Sequence, residues 1–228
     1  DIGCYTMGIW PTGYKQVKSV HAMGSGLGLA NGYGQLSRFG FKQPTITVCG
    51  DSTFFHSGLT PLINAKFNNS DILLLILDNS ATAMTGFQPH PGSGVTVMGE
   101  KTDPVDIESL CHSLRITVEV ADPYKLEESA KAIYNLLQES GPRVLIFRRK
   151  CALVQGRESG FSYKMNVDYD KCLGEDCGCN RYCTRIFRCP GLIWDNAAGK
   201  SRIDNVICVG CGICSEICPQ NAIVMKDR

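Results

Sequence analysis

Thr45-Ile46-Thr47-Val48-Cys49-Gly50-Asp51 and Asp71-Ile72-Leu73-Leu74-Leu75-Ile76-Leu77-Asp78-Asn79 are two short apolar runs that each end on polar residues. Runs this short and this rich in branched aliphatic side chains read as strands buried on both faces, as in a parallel sheet. Between them, residues 58–68 read as a helix, with Pro61 tolerated in its first turn. Further on, 116–120 alternates as a strand and 144–147 reads as the last one. Residues 124–138 place Leu126, Ala130, Ile133 and Leu137 on one helical face. Upstream, 1–14 is loop-like and 17–21 is a short strand or its exit. Residues 22–36 read as a helix despite five internal glycines, which cost about 1 kcal/mol each against Ala. Such a helix needs a close neighbour: a cofactor, another subunit or the sheet itself. Asp103-Pro104 reads as the start of a helix ending near His112. Strand and helix alternate over 17–148, which predicts an α/β fold: a mostly parallel sheet with helices on both faces.

On such a sheet ligands bind beyond the carboxyl ends of the strands, so Asp51 and Asn79 are expected side by side at one edge. A carboxylate, an amide oxygen and a main-chain carbonyl near Ala81 are hard donors. They suit Mg²⁺, which takes the rest of its shell from water and substrate phosphates. Gly-Asp followed after roughly thirty residues by Asn is the pattern of a thiamine diphosphate site. The 80–102 loop is long enough to be functional. It supplies small residues and hydroxyls where a diphosphate would lie, and Gly50, Ser52, Thr53, Ala81, Met84, Thr85 and Gly86 are the expected contacts.

The cysteines divide the chain. Residues 1–150 hold three of the 13 and residues 151–228 hold ten. With an α/β half and no signal peptide, dense cysteines point to metal in a cytoplasmic protein rather than to disulfides. Cys208-x2-Cys211-x2-Cys214-x3-Cys218-Pro219 is the bacterial ferredoxin run, in which the fourth cysteine ligates the other cluster. A zinc site would prefer two separated pairs. The partner run, Cys172, Cys177, Cys179, Cys183 and Cys189-Pro190, is irregular and has one cysteine too many. Cys189 should complete the cluster of Cys208, Cys211 and Cys214. Cys218 should join three of Cys172, Cys177, Cys179 and Cys183, with Cys177 the favoured spare. The expected organisation is a thiamine diphosphate domain over 1–150, a connector over 151–167 and a 2[4Fe–4S] domain over 168–228. The net charge of +1 gives no argument for nucleic acid or a membrane surface, and no run is long enough for a membrane span.

Asp-Ile-Gly-Cys at the chain start, with Gly50-Asp51-Ser52-Thr53-Phe54-Phe55-His56-Ser57-Gly58-Leu59, Leu77-Asp78-Asn79-Ser80-Ala81-Thr82-Ala83-Met84-Thr85-Gly86 and Gln88-Pro89-His90-Pro91-Gly92, resembles the large subunits of the indolepyruvate ferredoxin oxidoreductases and close relatives acting on aromatic 2-oxo acids. The resemblance runs over the whole chain. It implies thiamine diphosphate, Mg²⁺ and [4Fe–4S] clusters in an oxidative decarboxylation of a 2-oxo acid to acyl-CoA and CO₂, with ferredoxin or another carrier taking the electrons. Related enzymes hold a further cluster beside the thiamine, so Cys4 and Cys151 are read either as ligands of a third cluster or as a pair of free thiols. Asp1 reads as the middle of a motif, so a fragment or processed chain of a longer subunit is expected. No Glu stands in a recognisable position to activate thiamine; Glu100, Glu108 and Glu119 are poor candidates. Other domains or subunits should supply that Glu and the coenzyme A site, in an oligomer, and this chain alone should be inactive. His21 and His56 flank the expected site and are candidates for catalysis, whereas His90 is expected to face a partner subunit. Two rivals stand beside this reading: a non-oxidative decarboxylase with structural clusters, and an electron-transfer subunit with a vacant thiamine fold.

Overall fold

The computed structural model describes residues 1–9, 17–160 and 163–227. It divides into two compact units, Asp1–Cys151 and Ala152–Arg228. In the first, four parallel strands lie in the order β1 (Ile46–Gly50), β2 (Ile72–Asp78), β4 (Pro142–Arg148), β3 (Thr117–Ala121). Alternation sorts their side chains. Ile72, Leu74, Ile76, Val144 and Ile146 face helices α1 (Ser25–Gln35), α2 (residues 51–67) and α3 (Ile107–Ser113). Leu73, Leu145 and Phe147 face Leu136 of α4 (Leu126–Leu137). Both faces are therefore covered, and the uninterrupted aliphatic run of β2 is explained by burial on each. Helix α2 comprises an α turn Asp51–Thr53, a π-helical turn Phe54–Gly58 and an α segment Leu59–Phe67.

Several expectations need correction. Residues 17–21 form no strand among the described residues, and Cys4–Ile9 is a 3-10 helix where loop was expected. The rest of the expected loop, residues 10–14, lies outside the described residues. Helix α3 starts at Ile107, not at Asp103-Pro104. The Val105 N–H donates to the Pro91 carbonyl at 2.9 Å and keeps the chain extended. The Asp106 carboxylate then caps the helix by accepting the Ser109 N–H at 2.8 Å. That carboxylate is held below its ordinary value, first by the Ser109 hydroxyl. In α1, a Cβ on Gly34 would lie 2.7 Å from Ile72 Cγ2, so the sheet is one of its close neighbours; Gly28 and Gly32 meet nothing.

Cys49 and Cys111 are buried in the first core, and burial pushes each thiol up to about 12. A raised thiol pKa adds stability below the unfolded value near 9 and gives it up as pH climbs towards 12. Both should resist iodoacetamide in the native protein at pH 8 and react fully in denaturant. Native alkylation of either, read by peptide mass, would contradict the packing.

Residues 151–167, expected as a connector, hold helix α5 (Ala152–Ser159) and strand β5 (Tyr163–Val167). Strand β5 pairs antiparallel with β8 (Ile223–Asp227), and β6 (Leu192–Asp195) pairs antiparallel with β7 (Lys200–Ile203). Helices α6 (Tyr182–Arg185) and α7 (Ile213–Glu216) are single turns that carry Cys183 and Cys214. Gly210 shows why the cysteine loop needs glycine. Its φ is 63°, and a Cβ there would stand 2.0 Å from the Tyr163 carbonyl oxygen.

Candidate functional site

Gly50 of β1 pairs with Leu77 of β2. Asp51 follows Gly50 and begins α2, and Asn79 is the first residue after β2, so both stand at the carboxyl edge of the sheet. The Asp51 side chain is 2% exposed. Its Oδ1 accepts the Ser52 N–H at 2.8 Å. Its Oδ2 accepts the N–H groups of Asn79 at 3.0 Å and Ser80 at 2.7 Å. Ser80 adopts a left-handed φ of 61°, a conformation that a non-glycine residue keeps only where contacts hold it. Asn79 Oδ1 accepts the Ala81 N–H at 3.0 Å. The start of the loop is thus wrapped around two oxygen donors.

A third group reaches Asp51. His90 Nε2 lies 3.1 Å from Oδ2, with its side chain 4% exposed. Its Nδ1 accepts the Gly92 N–H at 3.1 Å, so the ring proton sits on Nε2 and is donated to Asp51. Phe55, on the π turn, stacks on the imidazole with ring centroids 5.6 Å apart. π turns of this kind recur at functional sites. The expectation that His90 faces a partner subunit is overturned: it points inward onto the carboxylate. The spacing of Gln88-Pro89-His90-Pro91-Gly92 carried no sign of this, because the contact closes over a 39-residue separation. His21 and His56 are both exposed.

The remaining expected contacts are unequal. The Thr82 hydroxyl donates to Ser52 Oγ at 2.8 Å beside Asp51. Thr53 is buried, and its hydroxyl turns to the Ile2 carbonyl at 3.4 Å. Met84, Thr85 and Gly86 are exposed on a loop closed by the Thr82–Gln88 bridge. Glu108 is drawn to Arg148 and His112, Glu100 is exposed, and Glu119 lies on β3.

Asp51 accepts one N–H at Oδ1 and three at Oδ2 and, among the described residues, has no Lys or Arg partner. Its charge is met by dipoles alone. Such a carboxylate beside an amide oxygen, in a main-chain cradle, fits a divalent cation of the Mg²⁺ type.

In the second unit, Cys189, Cys208 and Cys211 stand near Cys214. Burial, and then their charge, push the Cys214 thiol up to about 12. Cys218 falls on the other side, where a cavity is lined by Cys172, Cys177, Cys179, Cys183 and Cys218 with mainly apolar neighbours. The Cys177 thiol is raised, by burial first. Burial also acts to raise Cys179, but the N–H of Tyr182, the Cys177 thiol and the Arg181 N–H outweigh it, and its pKa is lowered. Main-chain N–H groups point at sulfur, from Gly210 to Cys208 at 3.4 Å and from Ala222 to Cys218 at 3.3 Å. Among the described residues no three His, Cys, Asp or Glu side chains gather on a single metal ion. Two cysteine sets with N–H···S donors suit iron–sulfur clusters. Cys4 is exposed on the 3-10 helix and Cys151, after β4, donates its N–H to the Asn79 carbonyl at 3.1 Å.

The comparisons with known proteins follow this division. Residues 202–224 match a 4Fe–4S binding domain. Indolepyruvate oxidoreductase subunit IorA of Archaeoglobus fulgidus is 40% identical over 227 residues, 98% of this chain and 34% of that protein. The subunits of the same name from Methanothermobacter marburgensis and Pyrococcus horikoshii are 39% and 38% identical, covering 100% and 97% of this chain and 35% and 36% of theirs. The chain thus spans about a third of the length of these relatives. A 2-oxoglutarate:ferredoxin oxidoreductase from Magnetococcus marinus superposes with a TM-score of 0.48 at 20% identity, over 57% of this chain and 46% of that one. The first unit, in which Asp51 and Asn79 meet, is matched over residues 1–147 by the model for the C-terminal TPP-binding domain of thiamine pyrophosphate enzymes, and the chain belongs to that family.

Proposed function

We propose that this chain is the thiamine-binding and electron-relay part of a 2-oxoacid:ferredoxin oxidoreductase that converts an aromatic 2-oxo acid to acyl-CoA and CO₂. The observation that carries the reading is the coexistence in one chain of a buried Asp51 carboxylate, without a Lys or Arg partner among the described residues, at a parallel-sheet edge and two sets of cysteines. A site for decarboxylation alone has no use for the second. Asp51, Asn79 and the Ala81 carbonyl would hold Mg²⁺, with Gly50, Ser52, Thr53, Met84, Thr85 and Gly86 lining the diphosphate. Thiamine diphosphate, when bound, supplies the electron sink for loss of CO₂. The chain's share is to anchor the metal through an oriented carboxylate and to lead electrons away through sulfur ligands.

Cys189, Cys208, Cys211 and Cys214 would hold one [4Fe–4S] cluster, and Cys172, Cys179, Cys183 and Cys218 the other. Cys179→Ser should cost four irons per chain and Cys177→Ser none, counted by iron assay. Cys4 and Cys151 would contribute to a third cluster, and native complex with eight irons per chain rather than more would refute that part. The activating Glu and the coenzyme A site would come from other domains or subunits. The aromatic preference rests on the relatives' name. Among the described residues no helix is long and apolar enough to cross a membrane, and a cytoplasmic location is part of the proposal.

The test is anaerobic. Native complex with thiamine diphosphate and Mg²⁺ receives 2-oxo acids singly, with and without coenzyme A, while iron–sulfur absorbance is followed. Bleaching by indolepyruvate or another aryl 2-oxo acid is expected. Aldehyde without bleaching would favour a non-oxidative decarboxylase. Full iron without any thiamine binding would favour an electron-transfer subunit.

A further inference from the structure

The irregular cysteine run places a cation where the regular run has none. Between Cys179 and Cys183 the sequence inserts Asn180-Arg181-Tyr182, whereas Cys211 and Cys214 are separated by Gly212-Ile213. Asn180 and Arg181 both adopt left-handed φ values, 49° and 56°. Two successive non-glycine residues in that region are strained, and the surroundings must hold them there. The Arg181 side chain is 19% exposed. Its guanidinium lies 3.9 Å above the Trp194 ring centroid, and its outer nitrogen donates to Glu175 Oε1 at 3.1 Å. Its Nε is buried and, among the described residues, has no hydrogen-bond partner. The same residue lines the cavity enclosed by Cys172, Cys179, Cys183 and Cys218. A guanidinium N–H enclosed without an acceptor is costly, and a bound group with sulfur acceptors would remove the cost.

We propose that Arg181 donates its Nε–H to the sulfur of the cluster in this cavity and makes it the higher-potential cluster of the second unit. The inference rests on the two-cluster reading above. Reduction adds one electron and no proton to a cluster that is already negative, so a fixed positive charge and a hydrogen bond to sulfur both favour the reduced form. Glu175 cancels little of this: its side chain is 60% exposed and its charge is screened by water. The Cys208–Cys218 segment has no Lys or Arg, and its one charged residue is Glu216; Arg188, before that cluster's Cys189, is exposed and donates its Nε–H to the Arg185 carbonyl at 2.7 Å. The asymmetry would draw an electron from the Cys208-side cluster to the Arg181-side cluster.

The experiment is a dithionite titration of the anaerobically purified holoprotein, followed by electron paramagnetic resonance after iron has been counted. In Arg181→Leu one cluster's midpoint should fall so that its reduced-to-oxidised ratio at a fixed potential drops at least tenfold, 59 mV for a one-electron couple. The other signals should stay in place. Arg181→Lys, which keeps the charge without Nε, should show a smaller fall. If Arg181→Leu fails to take up full iron, Arg181→Gln is read in its place, with the same fall expected. Unmoved midpoints in a fully loaded variant overturn this inference alone. Wild-type protein that never exceeds four irons per chain overturns the two-cluster reading and this inference with it.

Discussion

Asp51→Ala in the assembled complex should weaken Mg²⁺-dependent thiamine diphosphate binding by at least about a hundredfold and remove turnover with it. Breaking a buried charged contact by deleting one partner costs about 3–5 kcal/mol, and each 1.4 kcal/mol is tenfold in affinity. Asp51 is the carboxylate of the proposed metal set, and Asn79 with a main-chain carbonyl cannot replace its charge. The same change harms the free protein, because the N–H groups of Asn79 and Ser80 and the His90 ring lose their acceptor. An enclosed donor left unpaired costs about 1–3 kcal/mol. A second variant separates the two effects. Asp51→Asn keeps the shape and one carbonyl acceptor but not the charge, so its melting temperature should stay near that of wild type while cofactor binding still collapses. Mn²⁺ resonance reports the metal and tryptophan quenching the cofactor. Wild-type affinity for both in Asp51→Asn would show that this carboxylate is not a metal ligand.

The elements that position Asp51 were open to reading because their cause is local. The seven-residue run of β2 is apolar on both faces and has one plausible home, the middle of a covered parallel sheet. The amphipathic face of α4 and the cysteine spacing before Pro219 speak equally plainly. Where the outcome hangs on tertiary contacts, the sequence is silent. The expected start of α3 at Asp103-Pro104 had a good cap and a well-placed proline, yet a hydrogen bond from Val105 to Pro91 hands the cap to Asp106. Residues 163–167 look patternless because their partner strand lies some sixty residues away, at 223–227. The two runs of cysteines can be matched on paper by their Cys-Pro endings. The inward turn of Arg181 cannot be, since it depends on a left-handed backbone and on Trp194, 13 positions on.

His90 is the site residue that pattern reading misplaced, and substituting it should have the second-largest effect. The side chain does two things at once. It stacks on Phe55, and it donates its Nε2 proton to the carboxylate oxygen that also receives the Asn79 and Ser80 N–H groups. A hydrogen bond from this side helps fix the rotation of the carboxylate, and with it the direction in which Oδ1, which accepts one N–H, would meet the proposed metal. Partners of this kind typically govern 10–100-fold in metal affinity. His90→Ala should therefore raise the Mn²⁺ dissociation constant within that range, with the fold intact. Packing and hydrogen bonding are told apart by two further variants. Glutamine can bring an amide N–H to the position of Nε2 and should restore most of the affinity. Phenylalanine preserves the stack on Phe55 without the donor and should bind metal as weakly as alanine. Wild-type affinity in the phenylalanine variant would reduce His90 to packing, and the orientation of Asp51 would then rest on the main-chain N–H groups alone.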